Sequence, residues 1–79
     1  MKNIYIDYFA LLREITGLAS EALQTDANTP SDLYDQLLER YKFPVQSSLK
    51  VAINDEFSSW DVKLSDGDRI VFIPPVAGG

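Results

Sequence analysis

The stretch TPSDLYDQLLERY, Thr29 to Tyr41, carries a full set of helix signals in one run. The Thr29 hydroxyl can accept a hydrogen bond from the first turn, and Pro30 suits the first helical position, where no N–H bond is lost. Asp32 favours the positive N-terminal end of the helix. Leu33, Leu37, Leu38 and Tyr41 then form one apolar stripe, while Asp35, Gln36, Glu39 and Arg40 point elsewhere. The helix must stop before Pro44, because the residue preceding a proline is biased away from helical geometry. One amphipathic helix has one face to bury, and its flanks supply the surface that receives it.

Upstream, Asn3 to Phe9 alternates, with Ile4, Ile6 and Tyr8 on one side and Tyr5, Asp7 and Phe9 on the other, the period of a half-buried strand. Ala10 to Ile15 is rich in helix formers and closes at Gly17, a residue suited to a left-handed cap. Ser20 to Thr25 reads as a second strand with Leu23 as its only large apolar residue. Downstream, Val51 and Ile53 alternate with Lys50 and Ala52, Asn54 to Glu56 makes a turn, and Phe57 resumes an extended segment. Trp60 and Leu64 are expected to anchor the following loop. Ser65 to Asp68 is a turn in which Gly67 can take positive φ, and Arg69 to Ile73 is the last strand. Pro74 and Pro75 end it, since they lack the N–H groups of a ladder.

The expectation is a single α+β domain over residues 1–79, a mixed sheet of four to five strands on one principal helix, with residues 74–79 as a flexible C-terminal tail. No repeat, linker or low-complexity tract interrupts it. Seventy-nine residues hold one small core. With no cysteine and no histidine, neither a disulfide nor an ordinary zinc site is available to staple it. Packing must do so, and four Phe, four Tyr and Trp60 supply large pieces to bury.

Charge and residue types narrow the function. A net charge of −5, with seven scattered basic residues, argues against a nucleic-acid surface and points to a basic protein partner or simply to solubility. No run approaches the ~20 apolar residues that span a bilayer, and Asp7 interrupts the stretch where a secretion signal would stay apolar, so a cytoplasmic location without membrane contact is expected. The missing Cys and His remove the commonest nucleophiles and the side chain that titrates near neutrality. The carboxylates fall mostly in turns and on the outer helix face. Gly17, Gly67, Gly78 and Gly79 are too dispersed to cradle a phosphate, so the chain is expected to bind no cofactor and no metal.

The remaining candidate is the ending FIPPVAGG, Phe72 to Gly79. From Ile70 onward no side chain carries a charge, and the last strand has two apolar rows, Ile70 and Phe72 on one side, Val71 and Ile73 on the other. Only one row need face the helix. Loops or the short Ala10 to Ile15 helix can cover the other; if they do not, the strand exit and tail form an apolar surface expected to meet a partner through Phe72, Ile73, Pro74 and Pro75. Val76, Ala77, Gly78 and Gly79, extended at ~3.3–3.6 Å per residue, could reach ~13 Å into another protein. Without Cβ atoms, Gly78 and Gly79 can thread a narrow channel. The Gly79 carboxylate is ionised at neutral pH and is a poor electrophile until adenylated, and this chain offers no residues to hold the ATP. A separate adenylyltransferase is therefore expected.

Over essentially its whole length the sequence resembles the small, sulfur-carrier subunit of molybdopterin synthase, the MoaD family. FALLREITG at Phe9 to Gly17, LSDGDRIVFIPPVAGG at Leu64 to Gly79 and, more weakly, VAIND at Val51 to Asp55 carry the likeness. It implies a ubiquitin-like β-grasp fold and a carrier that is not an enzyme by itself. Its Gly79 would be adenylated and then converted to a thiocarboxylate. Its partners would be the synthase large subunit, which holds the active site, a ubiquitin-activating-like adenylyltransferase that uses ATP, and a sulfur donor. The sulfur would enter molybdopterin from cyclic pyranopterin monophosphate. Ala77, where a small hydroxyl residue is frequent, and Asn54-Asp55, where Asn-Gly is common, depart from the family pattern. Two other readings share the activated tail: a carrier for thiamine or another sulfur product, and a ubiquitin-type modifier joined to lysines.

Overall fold

Strand alternation is the first thing the structure settles. A computed structural model describes residues 1–74 of the chain. In β1 (Lys2–Tyr8), Ile4, Ile6 and Tyr8 are fully buried, and Asn3, Tyr5 and Asp7 take the opposite face. A short helix, α1 (Leu11–Thr16), ends at Gly17 in the left-handed conformation, where its N–H donates to the Arg13 carbonyl. β2 (Ser20–Thr25) returns antiparallel to β1, setting Leu23 beside Ile4 and Glu21 beside Ile6.

The principal helix, α2 (Pro30–Arg40), begins with Thr29 Oγ1 accepting from the Asp32 N–H at 3.1 Å and with Pro30 inside the first turn. Its buried face differs from the expected stripe in one place. Pro30, Leu33, Tyr34 and Leu37 are buried, whereas Leu38 is 39% exposed. At about 100° per residue, Leu33, Leu37, Pro30, Tyr41 and Tyr34 share an arc of about 100°, and Leu38 lies about 40° beyond its edge. Tyr34 can occupy the core because its hydroxyl donates to the Pro44 carbonyl at 2.6 Å.

β3 (Lys50–Ile53) and β4 (Glu56–Ser58) form a hairpin whose turn residues Asn54 and Asp55 have φ of 52° and 72°, the two positive values of a type I′ turn. β5 (Arg69–Ile73) closes the sheet in the order β2-β1-β5-β3-β4, parallel to β1 and antiparallel to β3. The result is a mixed five-stranded sheet on one principal helix, with the last strand in the middle. Ile70 and Phe72 join Ile4, Ile6, Leu33 and Leu37 in the core, each large side chain contributing about 1.5–3 kcal/mol by its burial.

Six aromatic rings gather where β1 and β5 end. Tyr41 stacks on Phe43, Phe43 on Tyr34, and Trp60 on Phe72, with Tyr8 and Tyr34 meeting their neighbours edge-on. Beside them, Glu21 on β2 accepts from the hydroxyls of Tyr8 (2.7 Å) and Tyr41 (3.3 Å) and pairs with Arg40 at 3.4 Å. This ties the end of α2 to the sheet. Burial, followed by the hydrogen bond to Glu21, pushes the Tyr8 phenol well above its ordinary pKa.

Candidate functional site

The base of the C-terminal segment is built by β5. Both neighbours hold this strand: β1 pairs with it as far as Tyr8 opposite Phe72, and β3 pairs with it to Lys50 opposite Ile73. Ile73 and Pro74 are half-buried at the strand exit, where a partner can reach them. Phe72 requires a correction. It was expected among the contact residues, but its side chain is fully buried against Trp60 and Tyr34, because the residues that pair with it, Tyr8 and Val51, also face the core. The outward residues of β5 are Arg69, Val71 and Ile73. Pro75, Val76, Ala77, Gly78 and Gly79 lie outside the described residues.

Strand register turns that outward row into a surface. Val71 lies between Asp7 of β1 and Ala52 of β3, and Ala52 is flanked in turn by Phe57 of β4. Tyr5 sits beside Arg69, and Lys50 beside Ile73. Phe57 is 74% exposed and Tyr5 43%, while Val71 and Ile73 are half-buried. At the same end of the sheet, Phe9 and Leu11 follow Tyr8 and are also exposed. Sequence reading named Ile73 as a contact and set Val71 in the same row, but missed Tyr5, Phe9, Leu11 and Phe57. Phe57 carried a usable signal, since it is a large ring between polar neighbours in a segment too short to be a core strand.

Electrostatics mark the same face. Of the chain's twelve acidic residues, only Asp7 belongs to these outward rows, and the Arg69 guanidinium holds it at 2.9 and 3.1 Å. Lys50 adds a second cation. An otherwise acidic domain thus presents one apolar face whose own charges are balanced or slightly positive, and such a face loses little on desolvation. Ala10, between Phe9 and Leu11, has φ 48° and ψ −121°, a conformation costly for alanine. Strained backbone therefore stands between the two exposed apolar side chains nearest the strand exit.

Among the described residues no group of His, Cys, Asp or Glu side chains is placed to hold a metal ion. Nor is any described helix long and apolar enough to cross a membrane.

Comparison with known proteins assigns the family. The model of the ThiS family matches residues 6–79. The chain belongs to the ThiS family. Within it, the chain is similar to the molybdopterin synthase sulfur carrier subunit of Escherichia coli, 31% identical over 80 residues that cover 96% of this chain and 99% of that one. The structure is similar to that of the Pyrococcus furiosus protein described as a molybdopterin converting factor subunit 1. The TM-score is 0.80 at 25% identity, covering 96% of this chain and 100% of the other. It also resembles, with a TM-score of 0.66 at 23% identity, a chain in the complex of subunits 1 and 2 of molybdopterin-converting factor from Helicobacter pylori, covering 98% and 99%. The fold of this ThiS-family chain is the ubiquitin-like β-grasp, as the resemblance to the MoaD family implied.

Proposed function

We propose that this chain is the sulfur-carrier subunit of a molybdopterin synthase and delivers sulfur from the carboxyl terminus at Gly79. One observation carries the proposal: the middle strand of the sheet leads directly into the Gly-Gly ending, and its outward residues Val71 and Ile73 form the centre of an exposed, nearly neutral apolar face. Docking that face sets the origin from which the last residues enter a partner's site. The relatives' role as sulfur carriers supports the same reading.

In the proposed cycle, an adenylyltransferase docks on the Tyr5, Phe57, Val71 and Ile73 face. A Gly79 carboxylate oxygen attacks the α-phosphorus of ATP, pyrophosphate leaves, and the carbonyl becomes an acyl adenylate. Hydrosulfide supplied by a separate donor then attacks the carbonyl carbon, AMP departs, and loss of the S–H proton leaves a thiocarboxylate. The synthase large subunit, the counterpart of the second subunit in the Helicobacter pylori complex, takes the loaded end into its active site. There the sulfur enters the dithiolene built from cyclic pyranopterin monophosphate.

This chain contributes docking, reach and the reacting carbonyl; it binds no cofactor, metal, nucleic acid or membrane, and ATP belongs to the activating partner. Val76, Ala77 and Gly78 are assigned to threading, with Ile73, Pro74 and Pro75 as the contact stem. A cytoplasmic location, where ATP is available to the activating partner, is part of the proposal. The test is deletion of Gly78 and Gly79 in a system reconstituted with the large subunit, the adenylyltransferase and a sulfide source. The truncated chain should keep its fold and its affinity for the large subunit yet yield no molybdopterin. Normal product yield would sink the proposal.

A further inference from the structure

We infer that Trp60 is a positioning residue for the C-terminal segment, holding the end of β5 in one direction through its stack on Phe72. Trp60 belongs to no helix or strand; it sits in the loop between β4 and β5. Its carbonyl accepts from the Ser31 N–H at 3.0 Å, at the start of α2, and four residues later the Leu64 N–H donates to Asn28 at 2.8 Å. The loop is strapped to the N-terminal end of α2 at these two points. That places the indole parallel to the Phe72 ring, with centroids 5.7 Å apart and planes 9° from each other. Tyr34 meets both rings edge-on, at 5.6 Å from Trp60 and 5.1 Å from Phe72, so three side chains from α2, the loop and β5 close a triangle.

The position of this triangle gives it its consequence. Phe72 is the last residue of β5 paired on both sides, because β1 ends opposite it and Ile73 is paired only with Lys50 of β3. Pro74 has no N–H with which to extend either ladder. Beyond Phe72, then, backbone pairing no longer fixes the strand on both edges, and the ring clamp on Phe72 takes over. The remaining residues start from this base, so movement of Ile73 and Pro74 shifts the whole region that the end can search relative to a docked face. Misplacement of about 1 Å can cost a reaction ~100-fold, so a base that wanders delivers the terminus poorly even while the docking face still binds. Trp60 belongs to no outward row of that face, although it lines a surface cavity with Lys50 and Phe57 at its edge, and its effect on transfer passes through Phe72.

The effect on transfer rests on the carrier reading; the effect on strand direction does not, and two measurements separate them. The first uses the full-length chain alone. Backbone ¹⁵N relaxation should give Ile73 a rigid order parameter of ~0.85 in the unaltered chain and a value below ~0.6 in Trp60→Leu, with Ile4 and Ile6 rigid in both. Trp60→Phe, which keeps a ring on Phe72, should restore Ile73. An unchanged Ile73 in Trp60→Leu, or loosening that extends to Ile4 and Ile6, overturns the inference. The second measures adenylate formation and binding with the adenylyltransferase. Trp60→Leu should lower kcat about 10-fold or more while Kd stays within about twofold, and Trp60→Phe should recover most of the rate. Equal losses in kcat and Kd, or no loss in either, also overturn it. Failure of the unaltered chain to be adenylated instead removes the carrier reading and leaves the relaxation result to decide the role of Trp60.

Discussion

Replacing Ala10 with glycine should stabilise the protein, against the usual direction for such a change. Ala10 carries φ 48° and ψ −121°, and its side chain is exposed. Holding a residue with a Cβ in a sparsely populated backbone region costs about 1–3 kcal/mol. Glycine removes that cost but loosens the unfolded chain, which takes back about 0.4–1 kcal/mol. No buried methyl is lost, so the balance is a gain of about 1 kcal/mol. With a urea m-value of ~1 kcal/mol/M for a domain this small, the unfolding midpoint should rise by about 1 M with m unchanged. The same gain should raise Tm by about 4–8 °C. Ala10→Val supplies the opposing arm, because a β-branched residue fits positive φ worst, and its midpoint should fall. A midpoint that falls for Ala10→Gly, or rises for Ala10→Val, would refute the assignment of strain at this position.

Three other outcomes follow from the geometry. Leu37→Ala should cost about 2–5 kcal/mol in denaturant titrations while Leu38→Ala costs under about 1 kcal/mol, because Leu37 is 2% exposed and Leu38 39%. Burial pushes the Tyr34 phenol up to about 12. Its folded pKa thus lies above the unfolded value of ~10, so its contribution is intact below pH 10 and is lost as pH rises from about 10 to 12, at up to about 1.4 kcal/mol per pH unit; Tyr34→Phe should flatten that part of the stability profile. Phe57→Asp, at a ring 74% exposed, should leave stability within about 0.5 kcal/mol and weaken binding of the synthase large subunit at least tenfold, as measured by calorimetry.

Local chemistry was readable in the sequence wherever a residue acts on its own backbone neighbours. Thr29 and Pro30 announced α2, Gly17 the end of α1, and the period of Ile4, Ile6 and Tyr8 the buried side of β1. What stayed hidden depends on partners distant in the chain. Phe72 could not be assigned to the core until Tyr8 and Val51 were seen beside it. Tyr34 could not be preferred to Leu38 without the Pro44 carbonyl that satisfies its hydroxyl. Glu21 alternates onto the inner side of β2, a position sequence alone counts against a carboxylate; Tyr8, Tyr41 and Arg40 make it tolerable. The Ala10 conformation had no sequence signal, since alanine has neither the missing Cβ of glycine nor the short polar side chain of Asn or Asp that marks positive φ. The docking face was half legible: the row of Val71 and Ile73 showed in the alternation of β5, but its extension to Tyr5 and Phe57 is a product of strand order.

The central claim concerns the Gly79 carboxylate, and intact-mass analysis addresses it directly. The chain is incubated with its adenylyltransferase, ATP and a sulfide source, or isolated from cells that contain them, and the C-terminal peptide is then sequenced by fragmentation. The expected result is exchange of one oxygen for sulfur, confined to Gly79 and dependent on ATP. A terminus that stays a plain carboxylate with the active enzyme and ATP present, or one found only in amide linkage to lysines, would contradict the sulfur-carrier role.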